Sequence, residues 1–263
     1  MSGRGGNPLW RFTGMRPAAA LFFAYLYLPI VILIVLSFNA NRTVTIWSGF
    51  TTDWYAVVLG NADILRAATN SLIVATAATA IATVTATLAA LGMARARFRG
   101  AMSLNGVIGL PLVVPEIVTA VATLLFFVLI GLPLGLATLI IAHTVFCIPF
   151  AYLPIRARLE GMDPALQEAA ADLYANPWRT FRRVTLPLLW PGILAGALLA
   201  FIISLDDFVI SYFVAGAGST TLPVYIFGMI RIGVTPEVNA LSALMLVISI
   251  VFVSLSFLVQ RQR

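Results

Sequence analysis

The chain contains no lysine, one cysteine (Cys147) and one histidine (His143), and only 10% of its 263 residues are charged. Each shortage excludes something. A lone cysteine rules out an internal disulfide and any Cys-x-x-Cys metal or redox motif. His143 and Cys147 stand four apart on one apolar stretch, but two ligands without a third make no metal site, and a packed, hydrogen-bonded histidine is the simpler reading. Scarce charge leaves no solvated basic stripe, so a net charge of +6 does not signal a nucleic-acid partner. The sequence has no Walker A motif, GxGxxG fingerprint or HExxH, hence no visible means of hydrolysing ATP or holding a catalytic metal. What it has is apolar mass: 61% of residues are hydrophobic, against about 45–50% in soluble domains.

Six stretches are long and apolar enough to cross about 30 Å of hydrocarbon as helix. They run over about 18–38, 70–93, 104–130, 134–153, 191–213 and 238–259. The first follows Arg4, Arg11 and Arg16, as in a signal peptide, yet its apolar run is too long and no small-residue cleavage site follows. It reads as an uncleaved span. With the N-terminus in the cytoplasm, thirteen arginines lie inside (4, 11, 16, 95, 97, 99, 156, 158, 179, 182, 183, 261 and 263) and only Arg42, Arg66 and Arg231 outside. That asymmetry sets the orientation. The expected organisation is a cytoplasmic segment 1–17, a six-helix membrane domain 18–259 and a cytoplasmic tail 260–263.

Outside the membrane, segments 39–68 and 214–237 are longer than hairpins and carry Trp47, Trp54, Tyr55 and Tyr225, residues suited to the interface. Pro236 and Glu237 suit the start of the last helix. In the second span, Ala78, Ala82, Ala86 and Ala90 form a stripe that permits close approach of another helix. Thr76, Thr79, Thr83 and Thr87 beside it favour a buried packing face.

Segment 156–190 is too polar to span and too patterned to be disordered. Asp163-Pro164 is an N-cap followed by proline at the first helical position, and a helix through Leu173 follows. Asn176-Pro177 repeats the device and starts a second helix to about Thr185, which Pro187 and Pro191 end. Two short helices projecting from a membrane form a docking knob for a cytoplasmic partner.

Carboxylates inside spans are costly and mark function by default. Glu116 follows Pro111 and Pro115, which can loosen its helix, and Asp206 and Asp207 adjoin in the fifth span. The two aspartates differ by about 100° around a helix, so at most one faces a pathway directly while the other caps or braces a neighbour. Phe208 and Tyr212 offer π faces to a cation. No basic residue is expected within a span, so the pathway of Glu116, Asp206, Asp207, Phe208, Tyr212 and Glu237 suits a cationic, elongated amine.

Glu168-Ala169-Ala170, then Asp172-Leu173 and Leu186-Pro187, with Asn70-Ser71-Leu72 opening the second span, resemble the EAA loop and core of ABC-importer permeases. The features Asp206-Asp207, Thr221-Leu222-Pro223, Gly233-Val234, Pro236-Glu237 and Asn239-Ala240-Leu241 are similar to the C-subunit type of spermidine/putrescine permeases. The resemblance implies a type I ABC-importer fold, all-α with six spans, in a bacterial inner membrane. It also implies that Glu168, Ala169, Ala170, Asp172, Leu173, Tyr174, Asn176 and Pro177 dock on an ATPase. The partners implied are a homologous second permease, two ATPase copies and a periplasmic binding protein. ATP and Mg would then reside on the ATPase, with no cofactor on this chain. One departure stands out: Tyr174 occupies the family's usual glycine position. Either the turn there has a different geometry, with Asn176 taking the cap role, or Tyr174 contacts the ATPase. The alternatives are the same machinery importing another small amine or amino-acid-derived solute, and an ion-gradient-driven secondary transporter, which would not need the loop.

Overall fold

The computed structural model describes residues 15–95 and 100–261. Arg4, Arg11, Arg97, Arg99 and Arg263 of the charge argument lie outside them. Twelve α-helices follow in order: α1 Met15–Leu36, α2 Asp53–Gly60, α3 Ala62–Arg95, α4 Ala101–Val113, α5 Glu116–Leu129, α6 Leu136–Glu160, α7 Ala165–Asp172, α8 Pro177–Thr180, α9 Leu186–Asp206, α10 Val209–Val214, α11 Leu222–Ile232 and α12 Pro236–Arg261. The protein is all-α, with a single isolated β-bridge, Asn39 to Phe50, among the described residues.

Four helical stretches are by themselves long and apolar enough to cross a membrane: α1, α3, α6 and the continuous run Pro177–Asp206. The pair α4–α5 makes a fifth if counted as one broken span, and the sixth expected span lies on α12, whose stretch Pro236–Val251 is shorter. The expected single span over 104–130 needs correction, because its two halves are bent by 108°. Pro115 has no N–H to continue the helix and pushes Val114 into an extended conformation (φ −74°, ψ 132°). The fifth span is likewise interrupted: α9 stops at Asp206, and Asp207 is extended (ψ 123°) before α10 begins.

A second correction concerns Pro187 and Pro191, which do not end a helix. Between α8 and α9 the chain makes a π-helical turn, Phe181–Thr185, and continues into α9. The wider turn shifts the hydrogen-bond register where Pro187 lacks its donor, so the helix passes through.

Contacts divide the chain into two units, 61–228 with 249–263, and 1–60 with 229–248. In the larger unit α3, α6 and α9 pack together. The alanine stripe of α3 is the reason: Ala78, Ala82, Ala86 and Ala90 are all buried, and the last three meet Cys147, Ala151, Ile155, Leu189 and Ala200. Val74, Ala120, Phe127, Leu139, Phe146, Ile210 and Val214 form a second apolar cluster joining α3, α5, α6 and α10. Asn70 and Ser71 have a local task. The Asn70 amide donates to the carbonyls of Gly218 and Thr220, both at 3.0 Å, and Ser71 Oγ accepts from Leu222 N–H at 2.8 Å. The family-like Asn-Ser pair thus holds the start of α11.

In the smaller unit no residue of α1 is buried, as suits a helix apolar all round. The loop after it is organised by buried Asn39. Its amide donates to Ile46 O (2.9 Å), its Oδ1 accepts from Asn41 and Ser48 N–H, and its carbonyl accepts from Trp54 Nε1 (2.8 Å). Phe38 stacks on Phe50 at 5.1 Å. The α12 start at Pro236 agrees with the reading from sequence.

Candidate functional site

The two interrupted helices bring their acids together. Glu116 is the first residue of α5, half-buried, immediately after the Val114-Pro115 break. Its carboxyl lies beside that of Asp207. Asp207 sits in the break between α9 and α10 and is almost fully buried. Its Oδ1 accepts from Ser211 N–H (2.9 Å) and from Ser211 Oγ (3.2 Å), and its Oδ2 faces Ile210 N–H at 3.3 Å. These are the free amides of a helix start, which an aspartate satisfies. Asp207 is therefore the capping member of the pair.

Asp206 is the contrasting member. It ends α9 and is exposed on the surface of the chain. Sequence spacing alone separates the two by a helical rotation, but Asp207 is not helical. The break, not the 100° step, sends their carboxylates to different places.

Phe208 and Tyr212 stand with their ring centroids 5.4 Å apart. Phe227 of α11, which the sequence reading missed, completes a trio at 4.7 Å from Phe208 and 6.0 Å from Tyr212. Its signal was hidden because 214–237 was read as a connecting segment without a helix. Tyr212 and Phe227 remain well exposed. Glu237 is half-buried at the second position of α12 and belongs to the other unit.

His143 also belongs at the break. The expected packed, hydrogen-bonded histidine is present: Nδ1 lies 2.8 Å from Ser204 Oγ, and Nε2 lies 3.0 Å from Ser211 Oγ and 3.3 Å from Asp207 Oδ1. Its connection to Asp207 was invisible in the sequence, where the two are far apart. Cys147, one turn on, is buried with its thiol directed at Ala200 O (3.5 Å).

The loop between α6 and α9 keeps both expected caps. Asp163 Oδ1 accepts from Ala165 N–H (2.9 Å) ahead of α7, and Asn176 Oδ1 accepts from Arg179 N–H (2.8 Å) ahead of α8. Ala175 N–H donates to Ala170 O (3.1 Å) and Tyr174 N–H to Ala171 O (2.9 Å), the paired bonds of a Schellman turn. Tyr174 has φ +59°, the conformation glycine usually supplies. The turn is thus the left-handed one that glycine usually makes, formed here with a tyrosine. Asn176 caps the following helix and does not replace the turn. Glu168, Ala169, Asp172, Asn176 and Pro177 are exposed and Ala170 is half-buried. Leu173, Tyr174 and Trp178 expose 81%, 96% and 67% of their surfaces, an apolar tip left mostly uncovered by the described residues, with the Trp178 ring 5.6 Å from that of Phe181.

Apolar helices gathered around buried polar breaks define a multi-pass membrane protein. Residues 82–262 match the family of binding-protein-dependent transport system inner membrane components, and the chain belongs to that family. It is 42% identical over 241 residues to the spermidine/putrescine transport system permease protein PotC of Escherichia coli K12, covering 92% of this chain and 91% of that protein. Identity is also 42% over 233 residues to the putrescine transport system permease protein PotI of the same strain, covering 86% and 83%. The fold is similar to a chain of a bacterial ABC transporter for import of the acidic polysaccharide alginate, with TM-score 0.77, 18% identity and 96% of each chain covered. It is also similar to a chain of the MetNI methionine ABC transporter, with TM-score 0.64, 19% identity and 75% and 94% covered.

Proposed function

We propose that this chain is a permease subunit of an ATP-driven importer for small polycationic amines of the spermidine and putrescine kind. The observation that carries the substrate is the 42% identity, over nearly the whole chain, to permeases named for those amines. Chemistry supports it independently. Glu116 and exposed Asp206 supply carboxylates at two helix breaks, and Phe208, Tyr212 and Phe227 supply π faces beside one of them. Asp207 is already engaged as a cap, so its role in the pathway is to hold the break.

The chain works with a homologous second permease, a periplasmic binding protein and two copies of a cytoplasmic ATPase that binds ATP and Mg. It performs no catalysis itself. Both termini lie in the cytoplasm, with 1–17 and 260–263 flanking the membrane domain 18–259. The loop 156–190 projects on the same side. There Glu168 and the exposed tip of Leu173, Tyr174 and Trp178 enter a groove of the ATPase, so that its closure moves α6 and α9. Contacts to the cargo must be weak and multiple to allow release after each switch.

Reconstitution of the complete complex tests this reading. Binding protein loaded with putrescine or spermidine stimulates ATP hydrolysis and amine import; Asp206→Asn lowers import while the complex still assembles. Glu168→Lys leaves ATP hydrolysis uncoupled from import. Unchanged import in the first variant removes the cation pathway, and normal coupling in the second removes the docking loop.

A further inference from the structure

His143 lies at the far end of a two-helix lever. The 161–185 loop joins the C-terminus of α6 to the start of α9, so any pull on the loop acts on these two helices first. They run antiparallel in close contact. A Cβ on Gly196 would lie 2.5 Å from Ala151 O, and one on Gly192 would lie 2.6 Å from Arg158 Cβ, so only glycine lets the helices approach this far. Arg158 Nε adds a hydrogen bond to Leu188 O at 2.9 Å. About 25 Å along α6 from Glu160 stands His143, and Ser204 lies about the same distance along α9 from Leu186. The imidazole bonds Ser204 on α9 at 2.8 Å and, across the break, Ser211 on α10 at 3.0 Å, with Asp207 at 3.3 Å. Beside Asp207 stands Glu116, at the head of α5. Every member of this chain of contacts lies in the larger unit.

We propose that His143 is a positioning residue for transport: it clamps the α6–α9 pair to the α9/α10 break, so that loop displacement is delivered to Asp207 and, through it, to Glu116. A break transmits such motion less directly than a continuous helix, because Asp207 has left helical geometry. The clamp closes that loss with one ring and two hydroxyls. The inference rests on the ATPase-docking role proposed for the loop. It adds the residue that carries the motion to the other side of the break.

The test is the number of amines imported per ATP hydrolysed by the reconstituted complex, using putrescine-loaded binding protein. His143→Phe fills the same space without hydrogen bonds and lowers that ratio about tenfold, while ATP hydrolysis persists. His143→Gln, which keeps a donor and an acceptor, restores most of the ratio. Should the His143→Phe complex fail to assemble, the double variant Ser204→Ala/Ser211→Ala decides, since it removes both hydroxyl partners and leaves the ring. An unchanged ratio in an assembled variant overturns the proposal. So does a parallel fall of import and ATP hydrolysis, which marks His143 as support for folding alone. Glu168→Lys, run alongside, separates the two readings: if it stays coupled, the docking role fails; if it uncouples while the His143 variants do not, only the clamp fails.

Discussion

The loop at 161–185 and the break at 206–211 use the same chemistry to opposite ends. In both, a short polar side chain receives the free amides of a helix start: Asp163 and Asn176 in the loop, Asp207 in the break. In the loop the caps are exposed, and the capped helices present Leu173, Tyr174 and Trp178 outward. In the break the cap is buried and takes on two further groups, His143 and Ser211 Oγ, with Glu116 beside it. An exposed cap shapes a surface; a buried cap consumes its carboxylate. Acids inside a membrane protein are therefore best counted as cargo ligands only after those serving helix ends have been subtracted. Here the subtraction leaves Asp206 and the half-exposed Glu116.

The largest effect that sharpens this contrast is Asp207→Ala. It strips the cap from α10 and leaves the Ile210 and Ser211 amides buried without partners, a loss of about 3 kcal/mol. Thermal unfolding of the purified complex should show a clear drop in Tm. Asp206→Ala, at an exposed position, should change stability by less than about 0.5 kcal/mol while lowering import. Equal losses of stability from the two neighbours would erase the distinction.

Next in size is the exposed cap. Asn176→Ala removes one bond at the edge of the loop and costs about 1 kcal/mol, confined to α8. Hydrogen exchange of the amides of 178–180 should quicken, with those of 209–214 unchanged. If both segments respond, the loop and the break are not separate local structures.

What was legible in the sequence was local. Asp163-Pro164 and Asn176-Pro177 carry their caps within three residues, and the alanines at 78, 82, 86 and 90 announce a packing face by spacing alone. Features that depend on distant partners were not legible. Pro115 shows that a helix is disturbed, but the 108° bend between α4 and α5 exceeds a simple kink, and proline alone does not choose between the two. Pro187 and Pro191 read as a stop because the π turn that absorbs them has no composition of its own. Which aspartate caps depends on where α9 ends, and His143 reaches that point from a helix sixty residues earlier in the chain. Tyr174 concealed a Schellman turn, since the usual signal for one is glycine.

That tyrosine supplies the smallest and most informative test. Its left-handed backbone costs an L-residue about 1 kcal/mol, less the entropy a glycine would lose on folding. Tyr174→Gly should therefore stabilise the α7–α8 turn slightly, by a few tenths of a kcal/mol up to about 1 kcal/mol. The ring is 96% exposed, so packing against the described residues offsets little of this strain. If its use is contact with the ATPase, the glycine variant becomes more stable yet holds the ATPase more weakly, and measuring both on the same preparation separates strain from docking. A variant that is more stable and equally well coupled would leave the tip without a binding role for Tyr174. One that loses stability would show that the tyrosine ring holds the turn, and the contrast between an outward-serving loop and an inward-serving break would then fail at this residue.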